Sequence, residues 1–236
     1  MSEPPPARGR RSALPTTDAA SPPRASLRPR LPDSGGRGSE SASGTEAEAL
    51  QPASALVPDG RWRIDRDHSS VNFTVAYLGI TRIRGRFMDL LGSFTASDGR
   101  LEGEASVAAG SIQTGSAVRD QHLQSADFLN AADHPRLVFA LDEVAEGDDG
   151  RPIVHGRLSL NGVTQPVVFV VTPGGTAKDG YGHDRVGLQL DGAINRQDFG
   201  IRIDTDGMLV GEEIGIEIDL SLVREPDYLR HADIAA

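Results

Sequence analysis

One stretch near the C-terminus constrains the fold more than any other. Ile214, Ile216, Ile218, Leu220 and Leu222 alternate with Gly215, Glu217, Asp219 and Ser221. This alternation puts the aliphatics on one face and the small or polar residues on the other, which is the pattern of a half-buried strand. The period recurs at Val186, Leu188, Leu190, Gly192 and Ile194, at Leu101, Gly103, Ala105 and Val107, and at Val71, Phe73, Val75 and Tyr77. Shorter runs are Leu137, Phe139 and Leu141, then Val154, Gly156, Leu158 and Leu160. Trp62 and Ile64 open the series.

Turn signals separate these runs. Asn161-Gly162 stands between the Leu158–Leu160 run and Val167–Val171, a two-residue hairpin signal. Asp98-Gly99, Asp149-Gly150 and Pro173-Gly174-Gly175 mark further turns. Helical periodicity is confined to about 79–82 and 116–129. Seven to nine strands, each with one apolar face, point to an all-β domain: a closed or nearly closed antiparallel barrel, with a two-sheet sandwich as the alternative. Gly103, Ala105, Gly156 and Gly192 share the apolar faces with large aliphatics. Such small residues either leave room for a ligand or let long strands coil and close.

Composition divides the chain. Residues 1–58 hold ten of the fifteen prolines and none of the eleven aromatics. That segment has too little apolar surface to offset the entropy of ordering, so it is expected to be a disordered, dispensable Pro/Ser/Arg-rich tail. Residues 59–226 form the expected barrel domain, and 227–236 a C-terminal tail. The first 58 residues carry seven arginines against six acids, so the net charge of −10 leaves −11 for the rest. An acidic domain repels phosphate backbones, which argues against nucleic acid as its partner.

Cysteine is absent, which removes disulfides, thiolate nucleophiles and cysteine metal sites. No apolar stretch approaches the roughly 18 residues of a membrane-spanning helix. Arg10-Arg11 resembles a twin-arginine signal, but Ser12-Ala13-Leu14-Pro15 begins no apolar region after it. No cleavable export signal is expected, and the expected compartment is the cytoplasm.

The densest polar cluster is Arg119-Asp120-Gln121-His122-Leu123-Gln124-Ser125-Ala126-Asp127-Phe128-Leu129. It reads as a short helix with a polar face and an apolar foot. Asp120 and His122 lie two apart and do not share a helix face, and no third ligand stands at metal-binding spacing, so no metal is expected. Asp67-His68-Ser69 is a sequence neighbourhood, not a triad, and no nucleophile elbow accompanies it. Gly180-Tyr181-Gly182 lacks the strand-to-helix setting of a dinucleotide site. No catalytic residue and no cofactor is expected. Arg119 and Arg196 are expected to pair with aspartates and pin helix and loop to the barrel.

Seven segments in order carry a resemblance. They are Trp62-Arg63-Ile64-Asp65 with Asp67-His68-Ser69-Ser70-Val71-Asn72-Phe73, then Gly85-Arg86-Phe87, then Ser111-Ile112-Gln113-Thr114-Gly115, then the 119–129 cluster. His134-Pro135-Arg136-Leu137-Val138-Phe139, the run from Gly156 through Asn161-Gly162 to Val167, and Asn195-Arg196-Gln197-Asp198-Phe199-Gly200 complete them. From Trp62 to about Glu225 the chain resembles the YceI-like family of bacterial polyisoprenoid-binding, lipocalin-like proteins.

The resemblance implies an extended eight-stranded antiparallel barrel around an apolar tunnel, with short helices by its mouth. It implies a partner that is a long-chain isoprenoid or acyl lipid, and it leaves a homodimer open. Many relatives are periplasmic, whereas this chain shows no such signal. The tunnel wall would come from the alternating faces: Val71, Phe73, Val75, Tyr77, Ala105, Val107, Phe139, Leu158, Leu160, Leu188, Leu190, Ile216 and Ile218, with Phe128 and Leu129 as a gate. Parity alone does not separate tunnel wall from packed core.

The leading expectation is non-catalytic binding, storage or transport of such a lipid. An enzyme acting on a bound lipid, with His68 or His122 as general base, and a ligand-free adaptor barrel are the alternatives.

Overall fold

The computed structural model describes residues 56–202 and 209–225. Eleven strands follow in order: β1 (Gly60–Ile64), β2 (Ser70–Tyr77), β3 (Thr81–Phe87), β4 (Leu90–Ser97), β5 (Arg100–Ala108), β6 (Ile112–Gln113), β7 (Arg136–Glu146), β8 (Pro152–Leu160), β9 (Val163–Lys178), β10 (Asp184–Asn195) and β11 (Val210–Arg224). One short helix, α1 (Ala117–Leu123), lies between β6 and β7.

Eight strands close a ring in the order β1-β4-β5-β7-β8-β9-β10-β11, and β11 pairs back to β1. Every pairing is antiparallel. Closure removes the free edges that a flat sheet of this size would expose. β11 serves two neighbours along its length. Leu222 and Arg224 face Ile64 and Trp62 of β1, while Ile214, Ile216 and Ile218 face Val75, Phe73 and Val71 of β2. The three-residue 3₁₀ turn Arg66–His68 separates these two segments. β2, β3 and β6 therefore form a flap on one end of the barrel, beyond the closed ring.

The hairpin signals at Asn161-Gly162 and Asp98-Gly99 both hold: all four residues have φ between 50° and 75°. Two successive left-handed residues give the turn whose twist matches its strands. The expected helical turn at 79–82 is instead a third such hairpin, joining β2 to β3. Leu78 and Gly79 have φ of 53° and 69°, and the Ile80 amide donates to the Tyr77 carbonyl at 3.2 Å. The turn expected at Pro173-Gly174-Gly175 lies inside β9. Pro173 faces Leu188 and Gly175 faces Gly187, so Gly174 is an extra residue, a bulge. A bulge tolerates the missing proline amide, so the strand continues to Lys178.

The folded domain begins before residue 59. Leu56 and Val57 are buried in the main core, and the Trp62 indole N–H donates to the Pro58 carbonyl at 2.8 Å. The guanidinium of Arg224 lies 5.6 Å from the Trp62 ring centre. The expectations for residues 1–55 and 227–236 lie outside the described residues.

Near β1, Arg185 of β10 bridges two carboxylates. It donates to Asp65 after β1 and, through Nε at 3.0 Å, to Asp179 after β9. Burial works against each carboxylate charge. The Asp65 carboxyl nonetheless lies below the usual range, because hydrogen bonds from Arg185, His68 and the Asp67 amide outweigh that penalty. Asp179 lies lower still, held by the amides of His183 and Tyr181 and by Arg185.

Candidate functional site

The barrel encloses a cavity of about 650 Å³. Natural ligand pockets fall in the range of about 300–1,000 Å³. Along β11, residues 214, 216, 218, 220 and 222 all line it. At a strand rise of about 3.3 Å per residue that is about 26 Å of continuous aliphatic wall. The cavity is long because the alternating face of β11 runs unbroken from the β2 flap to the β1 ring.

All fourteen residues singled out in the sequence face this space: Val71, Phe73, Val75, Tyr77, Ala105, Val107, Phe128, Phe139, Leu158, Leu160, Leu188, Leu190, Ile216 and Ile218. Leu129 faces it as well. Sequence reasoning missed Ile83 of β3 and Phe94 of β4. Arg82, Arg84, Gly92 and Ala96 dilute the apolar signal of those strands. Leu56, Leu209 and Val210 are also in the wall and were missed, because none belongs to an alternating run.

The wall runs from buried to open. Leu56, Phe94, Leu101, Val171 and Leu222 are buried, whereas Leu209 and His122 are exposed and Tyr77, Ile83, Val210 and Arg119 half-buried. The mouth therefore lies at the β2–β3 hairpin, the start of β11 and α1.

Glycines on the inner faces do not widen the cavity. The Phe139 ring sits where a Cβ on Gly156 would stand, Phe94 does the same at Gly103, and Phe73 at Gly85. At Gly192 a Cβ would come 2.7 Å from the Phe169 ring. Each glycine is a seat for a cross-strand aromatic. Phe139 and Phe169 then meet edge to face at 5.7 Å.

Few polar groups line the cavity, and most have partners. The 119–129 cluster anchors α1. The Asp120 carboxylate accepts from the Thr114 amide at 2.8 Å and from the Thr114 hydroxyl at 2.5 Å. Arg119 does not pair with an aspartate as expected. Its Nε donates to Thr114 Oγ1 at 2.7 Å and a terminal nitrogen donates to the Thr114 carbonyl at 2.8 Å. The helix stops at Leu123, not 129; 124–129 are turns that bury Phe128 and Leu129. His122 meets the Phe128 ring edge-on at 4.7 Å.

Among the described residues the acceptors of Arg196 are backbone carbonyls. It donates to Ile201 at 2.8 Å, Gly211 at 3.0 Å and Val210 at 3.1 Å. It is fully buried and belongs to the 3₁₀ turn Arg196–Phe199, capped by Asn195 and ended by left-handed Gly200. The motif Asn195–Gly200 thus ties β10 to the start of β11 at the mouth.

The catalytic candidates are scattered. His68 lies in the turn after β1, hydrogen-bonds Asp65 at 2.9 Å and does not line the cavity. The Ser69 hydroxyl turns to the Ser221 carbonyl at 3.4 Å. Among the described residues no three metal-ligating side chains gather, and no helix is long and apolar enough to cross a membrane.

Comparison with known proteins agrees with this architecture. The YceI-like domain family matches residues 62–222. A UPF0312 protein of Azotobacter vinelandii is 34% identical, covering 75% of this chain and 96% of the relative. Protein YceI of Escherichia coli O157:H7 is 36% identical, covering 64% of this chain and 80% of the relative. The crystal structure of a Campylobacter jejuni YceI protein superposes with a TM-score of 0.56 at 25% identity, covering 62% of this chain and 87% of that one. A polyisoprenoid-binding domain from Saccharophagus degradans shares the fold, with a TM-score of 0.53 at 15% identity over 69% of this chain and 98% of that one. The chain belongs to the YceI-like family.

Proposed function

We propose that the domain binds one long-chain isoprenoid or acyl lipid in its cavity and stores or carries it without chemical change. One observation carries this reading: a lined, elongated, almost wholly apolar cavity that is open at one end and closed at the other. An apolar chain entering it gains about 0.8 kcal/mol per buried CH₂ and needs no ion pair. The fold neighbour from Saccharophagus degradans, named for polyisoprenoid binding, supports the isoprenoid class.

A base acting on a lipid inside would have to be His122, because His68 is outside the cavity. The described ring contact of His122 is Phe128, which offers no carboxylate to orient an imidazole. An adaptor barrel packed solid is at odds with the cavity. The test is native mass spectrometry of the purified protein before and after organic extraction. The expected result is one retained lipid per chain, released unmodified. A protein that neither retains nor takes up any long-chain lipid would overturn the proposal.

A further inference from the structure

The β2–β3 hairpin carries two features that the cavity does not use. Its tip is apolar and open to solvent: Ile80 is 84% exposed and Leu78 47%. Leu209, also 47% exposed, joins the tip through its carbonyl, which accepts from the Leu78 amide at 3.0 Å. Behind the tip, Arg82, Arg84 and Arg86 alternate with Ile83, Gly85 and Phe87 along β3. Ile83 and Phe87 face the cavity, so the three arginines share the outer face. All three are exposed, and none forms an ion pair among the described residues.

The strand partners of this stripe are uncharged. Across β2 the partners of the three arginines are Ala76, Thr74 and Asn72, and across β6 Gln113 faces Arg86. The nearest acids in register lie on β11, a further strand away: Glu217 opposite Asn72, and Glu212 and Glu213 in the bulge beside Ala76. Between Arg84 and Arg86 lies a shallow depression walled by Asn72 and Gln113. Guanidinium groups around a polar hollow match a phosphate.

We propose that this outer face docks on an anionic lipid bilayer, with Leu78 and Ile80 entering the interface and Arg82, Arg84 and Arg86 meeting lipid phosphates. A basic stripe and an apolar tip are the two signals that peripheral attachment requires. With a net charge of −10 the chain as a whole is repelled by an anionic surface, which favours approach through this arginine stripe. The arginines select an anionic surface, and the apolar tip selects a bilayer over a nucleic acid. Docking sets the cavity mouth, at Tyr77, Ile83 and Leu209, against the membrane, the source of any long-chain lipid. That use of the docking rests on the binding function proposed above; the docking itself does not.

The test is flotation of the full chain with vesicles of phosphatidylcholine alone or with phosphatidylglycerol, with no isoprenoid present. Wild type floats with the anionic vesicles and not with the neutral ones, and salt releases it. R82Q/R84Q/R86Q weakens binding on the order of a hundredfold, and I80S weakens it about tenfold. Replacing the exposed arginines 151 and 157 with glutamine has no effect. Unaltered melting temperatures show that the substituted proteins are folded. Failure of wild type to float, equal binding by the triple variant, or tighter arginine-dependent binding to an oligonucleotide overturns the proposal. Uptake of a soluble isoprenoid by the same samples separates the two ideas. Uptake without flotation sinks the docking, and flotation without uptake sinks the cavity's function.

Discussion

The ring of Phe139 occupies the place where a side chain on Gly156 would begin. These residues sit on neighbouring strands as a same-face diagonal, two residues off register, with Leu158 directly opposite Phe139 and Leu141 opposite Gly156. The glycine is therefore part of the wall's packing and not a widening of the cavity. Gly156→Ala should destabilise the domain by about 1–3 kcal/mol, the usual cost of overpacking. Thermal unfolding checks this. A neutral Gly156→Ala would mean that Phe139 has space to withdraw into the cavity.

The Arg185 bridge predicts a signed pH dependence. Asp65 and Asp179 are both held below an unfolded value of about 3.9. Their contribution is complete above that value and is lost as pH falls through the lower folded values. Arg185→Gln should cost about 1–2 kcal/mol at neutral pH from the Asp65 bond, discounted for partial exposure. The difference from wild type should shrink between pH 5 and pH 2. A difference independent of pH over that range would show that the bridge does not act through these carboxylates.

Arg119 and Thr114 form a two-point contact that holds α1 at the mouth. Arg119→Ala and Thr114→Val should each destabilise by about 1–2 kcal/mol, with a coupling of about 1 kcal/mol in the double variant. Strictly additive losses would show that the pair does not act together.

The N-terminal boundary has its own test. A chain starting at Asp59 loses Leu56, Val57 and the acceptor of the Trp62 indole at once. Leu56→Ala alone should cost about 2–5 kcal/mol. An unchanged melting temperature in either variant would mean that this segment does not pack as described.

Much of the fold was legible because period-two alternation reports directly which strand face is buried. Ile214 to Leu222 and Val186 to Ile194 are examples, and both face the cavity or core. β3 and β4 were not legible, since arginine on one and glycine and alanine on the other leave no apolar excess. The turn at Leu78-Gly79 was misread because leucine is uncommon at positive φ. The bulge at Gly174 depends on the register with Gly187, which no local pattern encodes. Parity found the cavity wall, but the Gly–Phe seats depend on cross-strand register, and so does the space that remains. The partner of Arg119 was misjudged for a related reason: charge suggests an acid, whereas the fold offers Thr114.

The central claim is that the cavity takes up a hydrocarbon chain along its length. The direct measurement is the affinity of delipidated protein for isoprenoids of increasing length, in wild type and in Ala105→Phe. Ala105 lies in the wall opposite Phe139, so a ring there should shorten the usable space. Wild-type affinity should rise with each unit, by up to about 0.8 kcal/mol per buried CH₂, and then level off. In Ala105→Phe it should level off at a shorter chain. Wild-type affinity that does not depend on chain length would contradict the account.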